Sequence, residues 1–187
     1  FSLVCDDPTV PADATNLLLK AAQAFRAATG WPGGARVSLT KRIPVGAGLG
    51  GGSSDAAAAL KALSQLAGDA VAPATLSQIA AQVGSDCALF LPGGPVVMRG
   101  RGERVEPMRE PAASALRGRR VLIFKPGFSI ATLWAYAALA AQTRRGYRPG
   151  AEAEARVASF AHLAGTGAPV DALLFNDLER VAFAKYF

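Results

Sequence analysis

Two cysteines in 187 residues, Cys5 and Cys87, with a single histidine, leave no zinc spacing and no disulfide framework. Both are expected to be reduced thiols with no part in chemistry. The lone His162 falls on a surface helix and reads as solvated. Aromatic residues make up only 7% of the chain, and Trp31 and Trp134 are most economically packing residues. No apolar run reaches membrane-spanning length, and the N-terminus has no basic stretch leading into an apolar segment, so neither a membrane protein nor a secretory signal is expected. A cytoplasmic location follows as the expectation. Acidic residues number 14 against 20 basic ones, a net charge of +6. The arginines group loosely, at Arg99/Arg101/Arg104 and Arg117/Arg119/Arg120, too scattered for a nucleic-acid stripe. A diffuse positive field instead steers small, multiply charged anions.

Hydrophobic residues make up 51% of the chain, enough for a real core in one or two domains. Residues 1–5 read as a strand. Residues 16–29 form an amphipathic helix with Leu17, Leu18, Ala21, Ala24 and Phe25 inward, stopped by Gly30 and Pro32. Period-two alternation over 35–40 predicts a strand. Helices are expected from about Ser53 to Ala67 and from Pro73 to Gly84, then a hairpin of 95–99 and 103–108 around Gly100-Arg101-Gly102. Residues 109–118 read as a connection, 119–124 as a buried strand and 144–150 as a loop. Further helices are expected over 132–142, 151–163 and 178–187. Strands and helices mix without βαβα alternation, so the class is α+β, divided as 1–112 and 113–187. Both ends fall inside element-like runs, and further segments are expected beyond them.

The stretch Lys41-Arg42-Ile43-Pro44-Val45-Gly46-Ala47-Gly48-Leu49-Gly50-Gly51-Gly52-Ser53-Ser54-Asp55 dominates the reading. Glycines let backbone amides turn toward an anion, and the following helix adds unpaired N–H groups and its positive dipole end. A Walker A loop needs Lys-Ser or Lys-Thr after its last glycine, and Gly52 is followed by Ser53. The dinucleotide pattern is satisfied by Gly46 to Gly51, but its acidic residue closing a second strand is absent. Gly84-Ser85-Asp86 sets one carboxylate between a helix stop and an apolar run. Asp86 could serve chemistry or simply a turn, Ser53 or Ser54 could cap the helix, and Tyr136 could be plain core.

The pattern Pro-x-Gly-x-Gly-Leu-Gly-x-x-Ser-Ser resembles the phosphate loop of the GHMP kinases, the superfamily of galactokinase, homoserine kinase and mevalonate-type kinases. Asn16-Leu17-Leu18-Leu19-Lys20, Gly84-Ser85-Asp86, Gly100-Arg101-Gly102-Glu103, Lys125-Pro126-Gly127 and Asn176-Asp177-Leu178-Glu179 extend the resemblance over nearly the whole chain. They are most similar to members whose acceptor is a cytidine-diphosphate-linked methylerythritol, in non-mevalonate isoprenoid synthesis. The resemblance implies a ribosomal protein S5 domain 2-like N-terminal domain followed by part of a ferredoxin-like one. It implies ATP with Mg2+ as cofactors, held at Pro44, Gly46, Gly48, Leu49, Gly50, Gly51, Gly52, Ser53 and Ser54, with Asn16 and Lys41 near the adenine. Asp86 matches the catalytic aspartate, and Thr132 and Tyr136 the substrate side, where an aromatic ring stacks on cytosine. Other small-alcohol acceptors, homoserine or mevalonate, are the alternative, as is a nucleotide-binding chain without turnover. The lysine-bearing strand that precedes this region in such kinases has no counterpart here.

Overall fold

The computed structural model describes residues 1–124, 127–128, 130–142 and 150–186. Lys125 and Pro126 of the Lys-Pro-Gly motif, and the expected loop from Arg144 to Pro149, lie outside the described residues. The chain divides into two compact units, Phe1–Pro107 and Met108–Phe187.

In the first unit β1 (Ser2–Cys5) pairs in parallel with β2 (Arg36–Leu39), Leu3 opposite Val37. Helix α1 (Leu17–Thr29) makes the crossover between them. Asn16 caps α1, its side chain accepting from the Leu18 amide, and Gly30 ends it in the left-handed conformation. Helix α2 (Gly51–Leu66) follows the glycine loop and α3 (Pro73–Val83) opens on a proline that needs no amide partner. The core joins Ala21, Ala22 and Phe25 of α1 to Ala56, Leu60 and Leu63 of α2 and Ile79 and Ala80 of α3. Alanines at these positions let α1 and α2 approach closely, while Phe25 fills the remaining volume with its ring edge against Trp31. The hairpin forms as expected, β3 (Val96–Arg99) antiparallel to β4 (Arg104–Pro107). A Cβ on Gly102 in its turn would run into the Ser85 carbonyl oxygen, so the hairpin tip needs glycine to lie against the Asp86 turn.

The second unit departs further from expectation. The connection contains a short helix, α4 (Ala112–Leu116), whose Ala112 packs with Ala164 of α6 (Gly150–Thr166) and Val170. Helix α5 (Thr132–Gln142) packs Ala135 and Leu139 on Val181 of α7 (Asp177–Tyr186). Trp134 is indeed a packing residue, its ring edge-on to Tyr186 and beneath the Lys185 ammonium. His162 is exposed on α6, as expected. The strand expected over 119–124 is not one. Residues 119–124 have no regular structure, and Leu122 and Phe124 are 96% and 86% exposed. A strand exists only through ladder bonds to a neighbour, and among the described residues no strand pairs with this run.

Candidate active site

β2, a loop over 40–50 and α2 stand in the order strand, loop, helix. Gly46, Gly48 and Gly50 all adopt positive φ, at 69°, 71° and 67°, a conformation that costs other residues roughly 1–2 kcal/mol each. Sequence spacing put the helix start at Ser53. The helix instead begins at Gly51, because Gly50 turns the chain left-handed and its carbonyl accepts the first helical bond from Ser54, at 2.8 Å. Neither serine caps the helix: the N-cap is Gly50, and no side chain bonds there. The leading amides of α2 are therefore left to a ligand or solvent, beside the positive end of the helix dipole. A Cβ at Gly46 or Gly48 would meet nothing within 4 Å, so the loop is open at both positions. The donor set fits phosphate oxygens. Pro44 and Leu49 are exposed on the same loop.

Other segments are fastened around the helix start. Lys41 pairs its ammonium with Asp55, one turn into α2. The Phe90 ring stands 3.0 Å from where a Cβ on Gly50 would lie, and Lys61 donates to the Phe90 carbonyl at 3.0 Å. The turn carrying Asp86 is seated on α2 through its neighbours, since the buried Cys87 and Ala88 share the core with Ala56 and Leu60 of that helix. Asp86 itself is exposed and accepts from the Ser85 hydroxyl at 3.3 Å. The packing of Cys87 and Ala88 thus seats the turn carrying the expected catalytic carboxylate against α2, a link the sequence did not signal because it joins separate segments. Asn16 sits close by: Leu17, which follows it, lies 3.6 Å from a Cβ on Gly52. Asn16 is nevertheless engaged at both ends, capping α1 and donating to the Pro11 carbonyl at 2.6 Å. Thr132 and Tyr136 lie one helical turn apart on α5, on one face, with Tyr136 half exposed.

Burial is the main influence on the Cys87 thiol and pushes its pKa up, the nearby Asp86 charge adding to the effect and the Ser53 hydrogen bond opposing it. A thiol so held ionises and alkylates slowly. In a thiol titration of the native chain at pH 8, we expect one reactive group, the part-exposed Cys5, with Cys87 reacting only after denaturant is added. Two equally fast thiols would show that the Asp86 turn is not seated on α2.

A parallel strand pair, a left-handed glycine loop, an uncapped helix start and a carboxylate-bearing turn packed on that helix make up an α+β domain whose free amides could receive a phosphate. Residues 16–96 match the GHMP kinases N terminal domain. It is 38% identical over its full length to "4-diphosphocytidyl-2-C-methyl-D-erythritol kinase" of Pelotomaculum thermopropionicum. It is 40% identical to the protein of the same name from Solidesulfovibrio magneticus. A solved structure described as "Crystal structure of 4-(cytidine 5'-diphospho)-2C-methyl-D-erythritol kinase" superposes over 98% of the chain with a TM-score of 0.67 and 34% identity. The chain spans 61% of the length of each of these relatives.

Proposed function

We propose that the protein transfers the γ-phosphoryl group of ATP to the 2-hydroxyl of 4-diphosphocytidyl-2-C-methyl-D-erythritol, a step of non-mevalonate isoprenoid precursor synthesis. The observation that carries this reading is the open amide array of α2 after three left-handed glycines, with the Asp86 turn packed on that same helix through Cys87 and Ala88. Similarity, over the whole of this chain, to kinases named for this acceptor supports the choice of alcohol over homoserine or mevalonate.

Phosphoryl transfer asks a protein for positioning and charge neutralisation more than for covalent chemistry. Backbone amides of residues 46–54 would hold the β- and γ-phosphates. The acceptor oxygen bonds to the γ-phosphorus as the bond to the bridging oxygen breaks, ADP leaves, and the hydroxyl proton passes to the Asp86 carboxylate. Bound Mg2+ would supply neutralisation of phosphate charge. Among the described residues no cluster of three acidic, histidine or cysteine side chains could hold it, so its ligands would be phosphate oxygens, waters and the Ser53 or Ser54 hydroxyl. Asn16 and Lys41 would flank the adenine, and Tyr136 would offer its ring face to the cytosine with Thr132 beside it.

A coupled ADP-release assay with the cytidylyl alcohol, homoserine and mevalonate offered separately tests the assignment. Turnover is expected with the first alone. Turnover with homoserine or mevalonate would move the protein to another branch of the family, and ATP binding without turnover on any acceptor would leave a binding protein.

A further inference from the structure

Lys41 is held at two points that bracket the glycine loop. Its backbone amide donates to Asp6 Oδ1 at 2.8 Å, just past the end of β1, whose chain runs on through Asp6 N donating to the Leu39 carbonyl. Its ammonium reaches across to Asp55, one turn into α2, with the two side chains only 6% and 21% exposed. Gly51 makes room for this crossing, since a Cβ there would lie 3.2 Å from the ammonium nitrogen and 2.8 Å from Ile43 Cγ2. The residues between, 42–50, form the loop, and one ion pair joins its two ends.

Exposed ion pairs contribute little because water screens them and long side chains lose freedom. This pair differs, since its lysine is shielded and a buried ammonium without a partner is costly. We propose that Asp55 is a positioning residue: by pairing with Lys41 it latches the two ends of the 42–50 loop together, holding the α2 amides in the arrangement that receives a phosphate chain. The latch stands on contacts within the chain, whereas its consequence for a nucleotide rests on the function proposed above.

The test uses the full chain with Asp55→Ala, Asp55→Asn and, as the conservative rescue, Asp55→Glu. Two readouts are taken below the melting transition: tryptic cleavage after the exposed Arg42, and ATP affinity by calorimetry, with KM for ATP and kcat alongside. Losing the latch lowers the fraction of chains with a competent loop, and a fall to about a tenth raises the apparent Kd about tenfold. We expect cleavage of Asp55→Ala to quicken about tenfold, Kd and KM to rise together by that factor, kcat to stay within about twofold, and Asp55→Glu to restore most of both. Asp55→Asn, which keeps the shape and removes the charge, should follow the alanine variant. Cleavage equal to the parent's overturns the latch, and faster cleavage at unchanged ATP affinity overturns the positioning role. A fall in kcat at unchanged KM also overturns it, by placing Asp55 in the chemistry. If the parent itself binds no ATP while Asp55→Ala is cut faster, the latch survives and the kinase assignment fails.

Discussion

Asp86→Asn is expected to lower turnover by roughly 10²- to 10⁴-fold, the usual contribution of a positioned general base, while ATP affinity stays within about twofold of the parent. The amide keeps the size of the side chain and can still accept from the Ser85 hydroxyl, which bonds Asp86 Oδ1 at 3.3 Å. It cannot take a proton from the acceptor. Because Asp86 is exposed and contributes nothing to the core, the melting temperature should not move by more than about 2 °C, as for surface changes within about 0.5 kcal/mol. ADP release under saturating acceptor and calorimetric ATP titration separate the two effects. Equal turnover in parent and variant would remove Asp86 from the mechanism and leave its turn a structural one.

Phe25→Ala is expected to destabilise the first unit by about 3–5 kcal/mol, the range for deleting a buried phenylalanine ring. Phe25 is fully buried and meets α2 and α3 residues in the core, including Leu60 and Ile79, with Trp31 at its edge. Its neighbours are largely alanines, which have no rotamers with which to fill the void. Against a total stability of about 5–15 kcal/mol, this loss leaves a large unfolded fraction at physiological temperature. The consequence for the proposed function follows from where α2 begins: the helix that Phe25 helps to hold is the one whose uncapped first amides make up the candidate site. Denaturant unfolding followed by Trp31 fluorescence measures the loss, and ATP added in excess should recover part of it by mass action. A loss under about 1 kcal/mol would mean that α1 and α2 are not held by this core.

Much of the first unit was legible because local signals and tertiary packing agree there. The period of Leu18, Ala21 and Phe25 with the Gly30 stop gave α1, and the glycine pair around Arg101 gave the hairpin. The glycine loop was read as an anion cradle from residue types alone, and the three positive φ values are what those glycines permit. The helix start was misplaced by two residues because serine is the commoner cap, whereas here a left-handed Gly50 does the turning and keeps both serines free of capping. Contacts that assemble the candidate site, Lys41 with Asp55 and the packing of Cys87 with Leu60, join separate segments and leave no trace in spacing. The run Val121-Leu122-Ile123-Phe124 has strand composition, yet strand structure depends on a partner more than on propensity, and it lies exposed without one among the described residues.

The most direct measurement is a crystal structure of the chain grown with a non-hydrolysable ATP analogue and Mg2+. The account predicts phosphate oxygens about 2.7–3.2 Å from backbone nitrogens between Gly46 and Ser54, at the uncapped start of α2. An ordered analogue bound elsewhere, with that loop empty at saturating concentration, would contradict it.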